Sequence, residues 1–325
     1  MDLAGLRKNS FVIIGRVGMD LFTAPGLAMD QVDGFTVDIG GSAANIAVGI
    51  VKLGGQASLV TRVADDAVGR FCVGKLARYG VGTQHVVPIG GEARNSLAVY
   101  ESRVAGHQSV IYRNGAADFG MTVADVEAVD YSQFGAMITA GTVFAAEPSR
   151  TATFRAIDLA RAAGLPIIFD VDYRPYSWPN PQIAAEVLSR AGAMSDVIVG
   201  NDDEFGFMAG DKAAGLAMAR NLARAQAAIV IYKMGEQGAV TFQGGSEFRT
   251  GIYPVTALKP TGAGDSFLAG FLTGLAGGQD LSAAVLRGAA CAAIVVGRPG
   301  CAPAMPDQAD LDRFLSDHPG PITAP

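Results

Sequence analysis

The chain has 325 residues, of which 50% are apolar and 17% are charged. This composition excludes an intrinsically disordered protein and supplies enough apolar residues for one large α/β domain or two smaller ones. The net charge of −6 excludes the clustered basic surface that binds phosphate backbones, so we expect no nucleic-acid partner.

The first elements are typical of a parallel sheet with an added β-layer. The apolar run at 11–15 ends in glycine and predicts a buried first strand whose carboxyl end faces a ligand crevice. Polar and apolar residues alternate in short pieces within 20–40, and the runs 96–103 and 108–113 predict a hairpin. We expect a small β-sheet lid over the site, contributed by about 20–40 and 94–114.

From residue 41 onward, predicted helices alternate with predicted strands. The helices cover 41–53, 69–79, 149–163, 181–191 and 266–275, and the strands cover 57–61, 136–139, 166–170, 197–199, 228–232 and 238–242. Such alternation predicts an α/β fold whose central, mostly parallel sheet is covered by helices on both faces. We find no dividing linker and expect a single domain over 1–317, followed by a loosely held, proline-containing tail at 318–325.

The cysteines and apolar runs indicate where such a protein would work. Cys72, Cys291 and Cys301 lack metal-ligand spacing and are expected to be reduced core thiols. The run at 11–15 is too short for a secretory signal, and the apolar stretch 283–297 is interrupted by Arg287 and too short to span a membrane. We therefore expect a cytoplasmic protein without a membrane partner.

The most informative motif is a glycine-rich turn directly ahead of the predicted helix at 266–275. The backbone N–H groups of Gly262, Ala263 and Gly264 can converge on one anion, and the positive end of the helix adds to their attraction. Asp265 in the first turn can accept the proton of an attacking hydroxyl. The alternative is a simple glycine turn capped by an acid, which is common at helix starts.

The Gly-Ala-Gly-Asp motif at 262–265 resembles the signature of the ribokinase-like sugar kinases, also called the PfkB family. Gly40, Gly41 and Asn45 match the family's N-terminal signature, and the resemblance covers the chain from Phe11 to about Pro306. It implies a three-layer αβα ribokinase-like fold with a small β-sheet lid, and a phosphotransferase that uses ATP and Mg²⁺. By this resemblance, Gly262, Ala263 and Gly264 form the anion hole and Asp265 is the catalytic base.

The resemblance also implies roles for residues elsewhere in the chain. The residues that hold sugar hydroxyls would be Asp20, Gly40, Gly41 and Asn45. The nucleotide would contact Lys233, Gly235, Gly238, Thr261, Gly262 and Gly264. Asn201 and Glu204, in the family's Asn-x-x-Glu spacing, would lie near Mg²⁺-bound phosphates and hold the ion through water.

Each of these assignments has a simpler alternative. Asp20 can be a loop-capping acid and Asn45 an ordinary helix-surface residue. The acidic segment 201–204 equally resembles an exposed helix start. Lys233 can be a solvated charge on a hairpin.

Two arginines bear on the substrate. Tyr112-Arg113 and the segment 172–178, which contains Arg174, resemble the branch of the family that phosphorylates 5-dehydro-2-deoxygluconate in myo-inositol breakdown. The planar guanidinium suits a carboxylate, so both arginines would bind the acid end of the sugar. Either arginine can instead form a surface ion pair. Kinases of 2-keto-3-deoxygluconate share these features, and ribokinase- or fructokinase-type enzymes are wider alternatives.

Lys259 departs from the family pattern, in which an Asp at this position helps to bind a monovalent cation. We expect its ammonium group to occupy or repel that site and to make activity insensitive to K⁺. The exposed edges of the lid strands predict a homodimer formed through the lid.

Two other classes of function remain as alternatives. A sugar- or nucleotide-binding regulator could keep the fold without turnover, although Asp265 and its glycine turn speak against it. A dinucleotide-dependent oxidoreductase needs Gly-x-Gly-x-x-Gly after the first strand, and this motif is absent from the sequence there.

Overall fold

The computed structural model describes residues 3–225, 227–318 and 320–322. The strands are β1 (Ser10–Ile14), β2 (Gly18–Phe22), β3 (Thr36–Gly40), β4 (Gln56–Ala64), β5 (Gly82–Ile89), β6 (Leu97–Tyr100), β7 (Ser109–Tyr112), β8 (Ala136–Ala140), β9 (Ile167–Asp170), β10 (Val197–Asn201), β11 (Ile229–Lys233), β12 (Ala239–Gln243) and β13 (Ser246–Thr250). The α-helices are α1 (Ser42–Lys52), α2 (Ala67–Arg78), α3 (Val123–Glu127), α4 (Ser149–Ala162), α5 (Pro181–Ala193), α6 (Asp202–Ala209), α7 (Gly215–Ala225), α8 (Ala263–Ala276), α9 (Leu281–Val296) and α10 (Gln308–Asp317).

The large sheet has nine strands in the order β13-β12-β11-β10-β9-β8-β1-β4-β5. The strands from β11 to β5 are parallel, whereas β12 and β13 add an antiparallel edge. The chain runs from β1 to β4 on one side and later returns to β8 on the other side of β1. Open α/β sheets bind ligands beyond the carboxyl ends of the strands at such a reversal.

Helices cover both faces of this sheet. Phe11 and Ile13 of β1 belong to the core cluster that contains residues of α1, α2, α8 and α9. Val12 and Ile14, which point the other way, belong to the cluster that contains residues of α4, α5, α6 and α7. This arrangement and the small second sheet confirm the predicted three-layer αβα fold.

The second sheet, which we call the lid, has the strand order β3-β2-β6-β7. Asp20 of β2 lies opposite Asp38 and Ala98, whereas its neighbour Leu21 lies opposite Val37 and Val99. Because successive side chains of a strand point to opposite faces, Asp20 and Leu21 face different sides of the lid. The Asp20 side is buried. The other side carries a row formed by Leu21, Val37, Val99 and Val110, which we call the outer lid row.

The structure departs from the predicted elements at several places. The predicted strand 57–61 is longer, and β5, α6, α7, α9 and α10 were not predicted as elements. Of the predicted tail at 318–325, Pro319 and 323–325 lie outside the described residues. Ile322 exchanges backbone hydrogen bonds of 2.9 and 2.8 Å with Ile252 and is held at that point. That the tail as a whole is loosely held stays a prediction.

Two further observations concern the cysteines and the helices. Cys72, Cys291 and Cys301 are buried and free. Within the part of the chain that the structure describes, none of the helices has the length and apolar character needed to cross a membrane.

Candidate active site

The glycine-rich turn forms the amino end of α8. Gly262 caps the helix with φ at 84°, a left-handed conformation that suits glycine. A Cβ atom there would also lie 3.3 Å from Val295 Cγ1. Within the described ranges, the N–H groups of Gly262, Ala263 and Gly264, here called the anion loop, have no acceptor. The turn therefore presents free donors at the positive end of a helix, an arrangement that attracts an anion.

Asp265 occupies the third position of α8 and is partly exposed. Its Oδ2 accepts a hydrogen bond of 2.8 Å from Asn45 Nδ2. Burial and the nearby charge of Asp172 raise the pKa of Asp265 to about 6, while the hydrogen bond from Asn45 acts in the opposite direction. At pH 7 the carboxylate is therefore mostly ionised and able to take a proton.

Asp20 of β2 presents an unpaired carboxylate. The residue is 1% exposed, and neither carboxylate oxygen has a hydrogen-bond partner among the described residues. Burial raises its pKa to about 7, opposed by the charge of Arg16 and reinforced by that of Asp265. Buried polar atoms without partners are costly, so these oxygens are suited to hydroxyl donors of a ligand.

The glycine pair at the junction of β3 and α1 leaves room for Asp20 and Arg16. A Cβ atom on Gly40 would lie 1.8 Å from Asp20 Oδ2, and one on Gly41 would lie 2.8 Å from the carbonyl oxygen of Arg16. Gly41 also has φ at 100°. Asn45 Oδ1, one turn into α1, is buried and has no partner within the described chain. The predicted sugar-binding residues thus gather around Asp20 and Asp265.

Two further acids at the end of β9 belong to the site and were missed in the sequence. Asp172 has φ at 33°, an uncommon conformation for a residue other than glycine. Its Oδ2 accepts from Ser42 Oγ and, at 3.2 Å, from Thr142 Oγ1. Burial acts to raise the pKa of Asp172, but Arg174 and these hydroxyls lower it overall.

The pKa of Asp170 is shifted in the opposite direction from that of Asp172. Burial raises its pKa well above the usual range, although the charge of Lys233 opposes the shift. Asp170 is the last residue of the buried strand β9 and Asp172 lies two residues beyond it. Their position at the end of a buried strand is the signal that could have identified them. Within this segment, only Arg174 was predicted to contact a ligand.

Asn201 and Glu204 cap the start of α6. The Asn201 N–H donates to Glu204 Oε2, and the Glu204 N–H donates to Asn201 Oδ1, both at 2.8 Å. The simpler alternative, a helix start, is therefore present whatever else these residues do. Burial raises the pKa of Glu204. A cleft of about 660 Å³ lies beside Asn201 and Glu204.

The acidic side chains around Glu204 limit how a metal ion can be held. Among the described residues, no group of three or more His, Cys, Asp or Glu side chains is arranged to coordinate one directly. Glu204, Asp170 and Asp172 lie close enough to influence one another's pKa. Such an acidic corner fits a hydrated Mg²⁺, which retains waters and takes few protein ligands.

Lys233 ends β11 and reaches the anion loop. Its Nζ lies 3.2 Å from the position of a Cβ atom on Gly264 and 5.6 Å from the centre of the Phe267 ring. Gly235 and Gly238 form the following turn with φ at 57° and 79°. A Cβ atom on Gly238 would lie 2.0 Å from the carbonyl oxygen of Thr250, so packing alone requires glycine there.

The two predicted carboxylate-binding arginines already pair with acids of the chain. Arg113 Nη2 lies 2.5 Å from Asp118 Oδ2, and its Nη1 donates to the Thr142 carbonyl at 3.0 Å. Arg174 Nη2 lies 2.8 Å from Asp172 Oδ1, and its Nη1 lies 4.0 Å from Glu204 Oε1. Much of their positive charge is therefore offset within the protein, and their role toward a substrate stays a prediction.

Lys259 lies beneath the anion loop and is only 1% exposed. Its Nζ donates to the carbonyl oxygens of Thr261 and, at 3.4 Å, Val295. It forms no ion pair with any acid of the described chain. Burial lowers the pKa of Lys259, opposed by the charges of Cys301, Asp265 and Asp20.

Comparisons with known proteins identify a family. Residues 8–308 match a family described as pfkB family carbohydrate kinase. A protein of Photobacterium profundum named 5-dehydro-2-deoxygluconokinase is 36% identical over 315 residues, which cover 95% of each chain. A protein of Geobacillus kaustophilus with the same name is 35% identical over 314 residues, covering 95% of this chain and 94% of its own.

Solved structures resemble the whole fold. A fructokinase from Xylella fastidiosa with bound ATP has a TM-score of 0.84 at 22% identity, covering 95% of this chain and 99% of its own. A fructokinase from Vibrio cholerae O395, in a form with bound fructose, ADP and calcium ion, has a TM-score of 0.82 at 26% identity, with the same coverages.

Proposed function

Because the chain belongs to the pfkB family of carbohydrate kinases, we propose that it transfers the γ-phosphoryl group of ATP to the terminal hydroxyl of 5-dehydro-2-deoxy-D-gluconate. Relatives at 36% and 35% identity carry the name of this activity. The observation that carries the proposal is the position of the Asp265 carboxylate, in the first turn of α8 beside the free N–H groups of the anion loop.

In the proposed reaction the terminal hydroxyl oxygen attacks the γ-phosphorus. A new O–P bond forms, the bond between the γ-phosphorus and the bridging oxygen breaks, and ADP leaves with that electron pair. Asp265 accepts the hydroxyl proton, and the N–H groups of Gly262, Ala263 and Gly264 stabilise the charge on the phosphoryl oxygens. Asn45 orients the base through its hydrogen bond to Oδ2.

The sugar acid is proposed to lie between the lid and the start of α1. Asp20 and Asn45 accept hydrogen bonds from its hydroxyls, since their side-chain oxygens have no partners within the described chain. Gly40 and Gly41 let it approach closely. The sequence predicted that Arg113 and Arg174 bind the carboxylate of the sugar. Because each already pairs with an acid of the chain, we instead propose that Arg113 only adds positive charge to the sugar site. Arg174, which approaches Glu204, would act nearer the transferred phosphate.

The nucleotide is proposed to contact Lys233, Thr261 and the anion loop, with the turn from Gly235 to Gly238 beside it. Mg²⁺ supplies charge neutralisation to the phosphates when it is bound. Glu204 would hold this ion through water, and Asn201 would fix Glu204 through their reciprocal hydrogen bonds. We also propose a cytoplasmic enzyme of myo-inositol breakdown, where ATP is available.

We expect kcat/KM to rise with pH through the range of about 6 to 7. Asp265 has a pKa raised to about 6 and Asp20 one raised to about 7, and both are proposed to act as carboxylates. Protonation below these values removes the base and the hydroxyl acceptor, so activity falls as pH falls. In Asp20→Asn the acid limb of the pH profile of kcat/KM should shift down to the pKa of Asp265, about 6. An unchanged limb in this variant would show that Asp20 does not titrate with activity.

We expect activity to be insensitive to K⁺. The Lys259 ammonium group already bonds the carbonyls of Thr261 and Val295, so a cation site beneath the anion loop has a resident charge. Rates in KCl and in tetramethylammonium chloride at equal ionic strength should agree within about twofold, because only screening remains. Strong K⁺ activation would contradict this role of Lys259.

We propose a homodimer formed through the outer lid row. Val37 and Val110 of this row are 37% and 40% exposed, and they flank the two central lid strands. Introducing Glu at both positions should convert a dimer into a 33.4 kDa monomer, because buried unpaired carboxylates are costly. Light scattering after size exclusion measures this. Val255→Glu, at an equally exposed site outside the lid, is the control. A monomeric wild-type protein would contradict the proposal.

The experiment for the proposed function is an ADP-release assay with four acceptors. These are 5-dehydro-2-deoxygluconate, 2-keto-3-deoxygluconate, ribose and fructose. We expect the largest kcat/KM with the first. A preference for another acceptor would reassign the substrate, and the absence of turnover with all of them, combined with sugar binding, would indicate a regulator.

A further inference from the structure

Arg16 is a buried arginine without an acidic partner. It lies two residues after β1, at the reversal of strand order, and is 7% exposed. Its Nη1 donates to Ser96 Oγ at 2.7 Å, while its Nε is buried and has no partner within the described chain. No ion pair joins it to any described carboxylate.

This state differs from that of Arg113 and Arg174. Each of those side chains lies within 2.8 Å of an Asp oxygen, so their guanidinium charges are offset inside the protein. A buried charge without a partner is strongly unfavourable, and proteins retain one where a ligand of opposite charge completes the pair. Arg16 therefore has a positive charge that no described acid pairs directly and that an anionic substrate could pair.

Arg16 also lies in the wall of the proposed sugar site. A Cβ atom on Gly41 would lie 3.1 Å from Arg16 Cγ, and one on Gly18 would lie 3.0 Å from Arg16 Nη1. The side chain thus runs from the start of α1 toward the first residue of the lid strand that carries Asp20. Burial acts to lower the pKa of Arg16, but the charges of Tyr100, Asp118, Asp20 and Asp172 raise it overall.

We propose that Arg16 binds the carboxylate of the sugar acid and so determines the preference for acids over neutral sugars. This inference rests on the proposed function. With the terminal hydroxyl at Asp265, the carboxylate lies at the opposite end of the substrate, and the guanidinium fork matches its two oxygens. Arg113, held by Asp118, adds positive charge without needing to contact the substrate.

The test compares two acceptors that differ only at one end. One is the sugar acid, and the other is its analogue with CH₂OH in place of the carboxylate. For Arg16→Met we expect kcat/KM to fall about 100-fold or more with the acid, because one partner of a buried charge pair is removed. Removing Arg16 also removes a charge that lowers the pKa of Asp20, so both acceptors are assayed well above the Asp20 pKa of about 7. With the neutral analogue we then expect a change of less than about threefold, since the reacting end is unaltered.

This design separates substrate recognition from a purely structural role. If Arg16 only offset the charge of Asp20, both acceptors would lose activity equally, which would overturn the inference. Arg16→Lys keeps the charge but not the fork, and we expect a loss of about tenfold with the acid alone. This variant decides the question if Arg16→Met does not fold. Arg94→Met, in the exposed segment before β6, should leave both values unchanged.

The same assays distinguish failure of the proposed function from failure of the inference about Arg16. A wild-type protein that does not phosphorylate 5-dehydro-2-deoxygluconate contradicts the proposed function. If it instead uses 2-keto-3-deoxygluconate, the same pair of acceptors built on that acid still tests Arg16. A wild-type protein that uses only neutral sugars overturns both. A wild-type protein that prefers the acid, with the same preference in Arg16→Met, overturns only the inference about Arg16.

Discussion

Asp265→Asn is expected to lower kcat by about 10²-fold or more, the usual scale for loss of a general base. The amide has nearly the same shape and can still accept the hydrogen bond from Asn45 Nδ2, but it cannot take the hydroxyl proton. Binding of the sugar acid should change by less than about threefold, because the base acts mainly in the transition state. ADP release and isothermal titration calorimetry measure the two quantities.

Asp310→Asn is the matched control for this variant. Asp310 occupies the third position of α10, as Asp265 does in α8, and pairs with Arg298 at 2.8 Å. Its replacement should leave kcat unchanged. Near-normal turnover in Asp265→Asn would remove Asp265 from the role of base, whatever its effect on stability.

Gly262→Ala is expected to lower kcat by about 10²-fold, the scale seen when a donor to a developing charge is lost. Its φ of 84° is unfavourable for a residue with a Cβ atom, and that atom would crowd Val295 Cγ1 at 3.3 Å. The chain must shift, which moves the N–H groups of the anion loop away from the positions proposed to bind the phosphoryl oxygens. Initial rates at saturating acceptor and ATP measure the effect.

Gly54→Ala separates this effect from general instability. Gly54 has φ at 86°, nearly the same conformation, and its Cβ position is open. Both variants should lose about 1–2 kcal/mol of stability, the cost of a left-handed residue with a side chain. Only Gly262→Ala should lose turnover. Equal activity of the two variants would mean that the anion loop does not act on the reaction.

The fold could be predicted because its signals are local. The first strand is a short apolar run, and the later alternation of strands and helices leaves few topologies open. The edge strand β5 was missed because its residues are only partly buried and include Pro88, which weakens the strand pattern. Helix α9 was recognised only as an apolar stretch. Eight of its 16 residues are buried, and its sequence lacks the regularly spaced polar residues that reveal an amphipathic helix.

The site was predictable where a motif is contiguous. Residues 262–265 and the pair Gly40-Gly41 carry their signal in a few adjacent positions. Arg16, Asp170 and Asp172 also lie at or near the ends of buried strands. Whether an arginine has a partner, however, depends on contacts between distant segments. The ion pairs of Arg113 with Asp118 and of Arg174 with Asp172 changed the interpretation of both arginines. Sequence alone does not reveal which of three arginines keeps a free charge.

The central claim is that phosphoryl transfer occurs between the anion loop and Asp265. The most direct measurement is a crystal structure with ADP, Mg²⁺, aluminium fluoride as a mimic of the transferred group, and the sugar acid. We predict that the fluoride atoms accept hydrogen bonds from the N–H groups of Gly262, Ala263 and Gly264, with the terminal hydroxyl between the aluminium and the Asp265 carboxylate. A mimic bound elsewhere, or a hydroxyl out of reach of Asp265, would contradict the account.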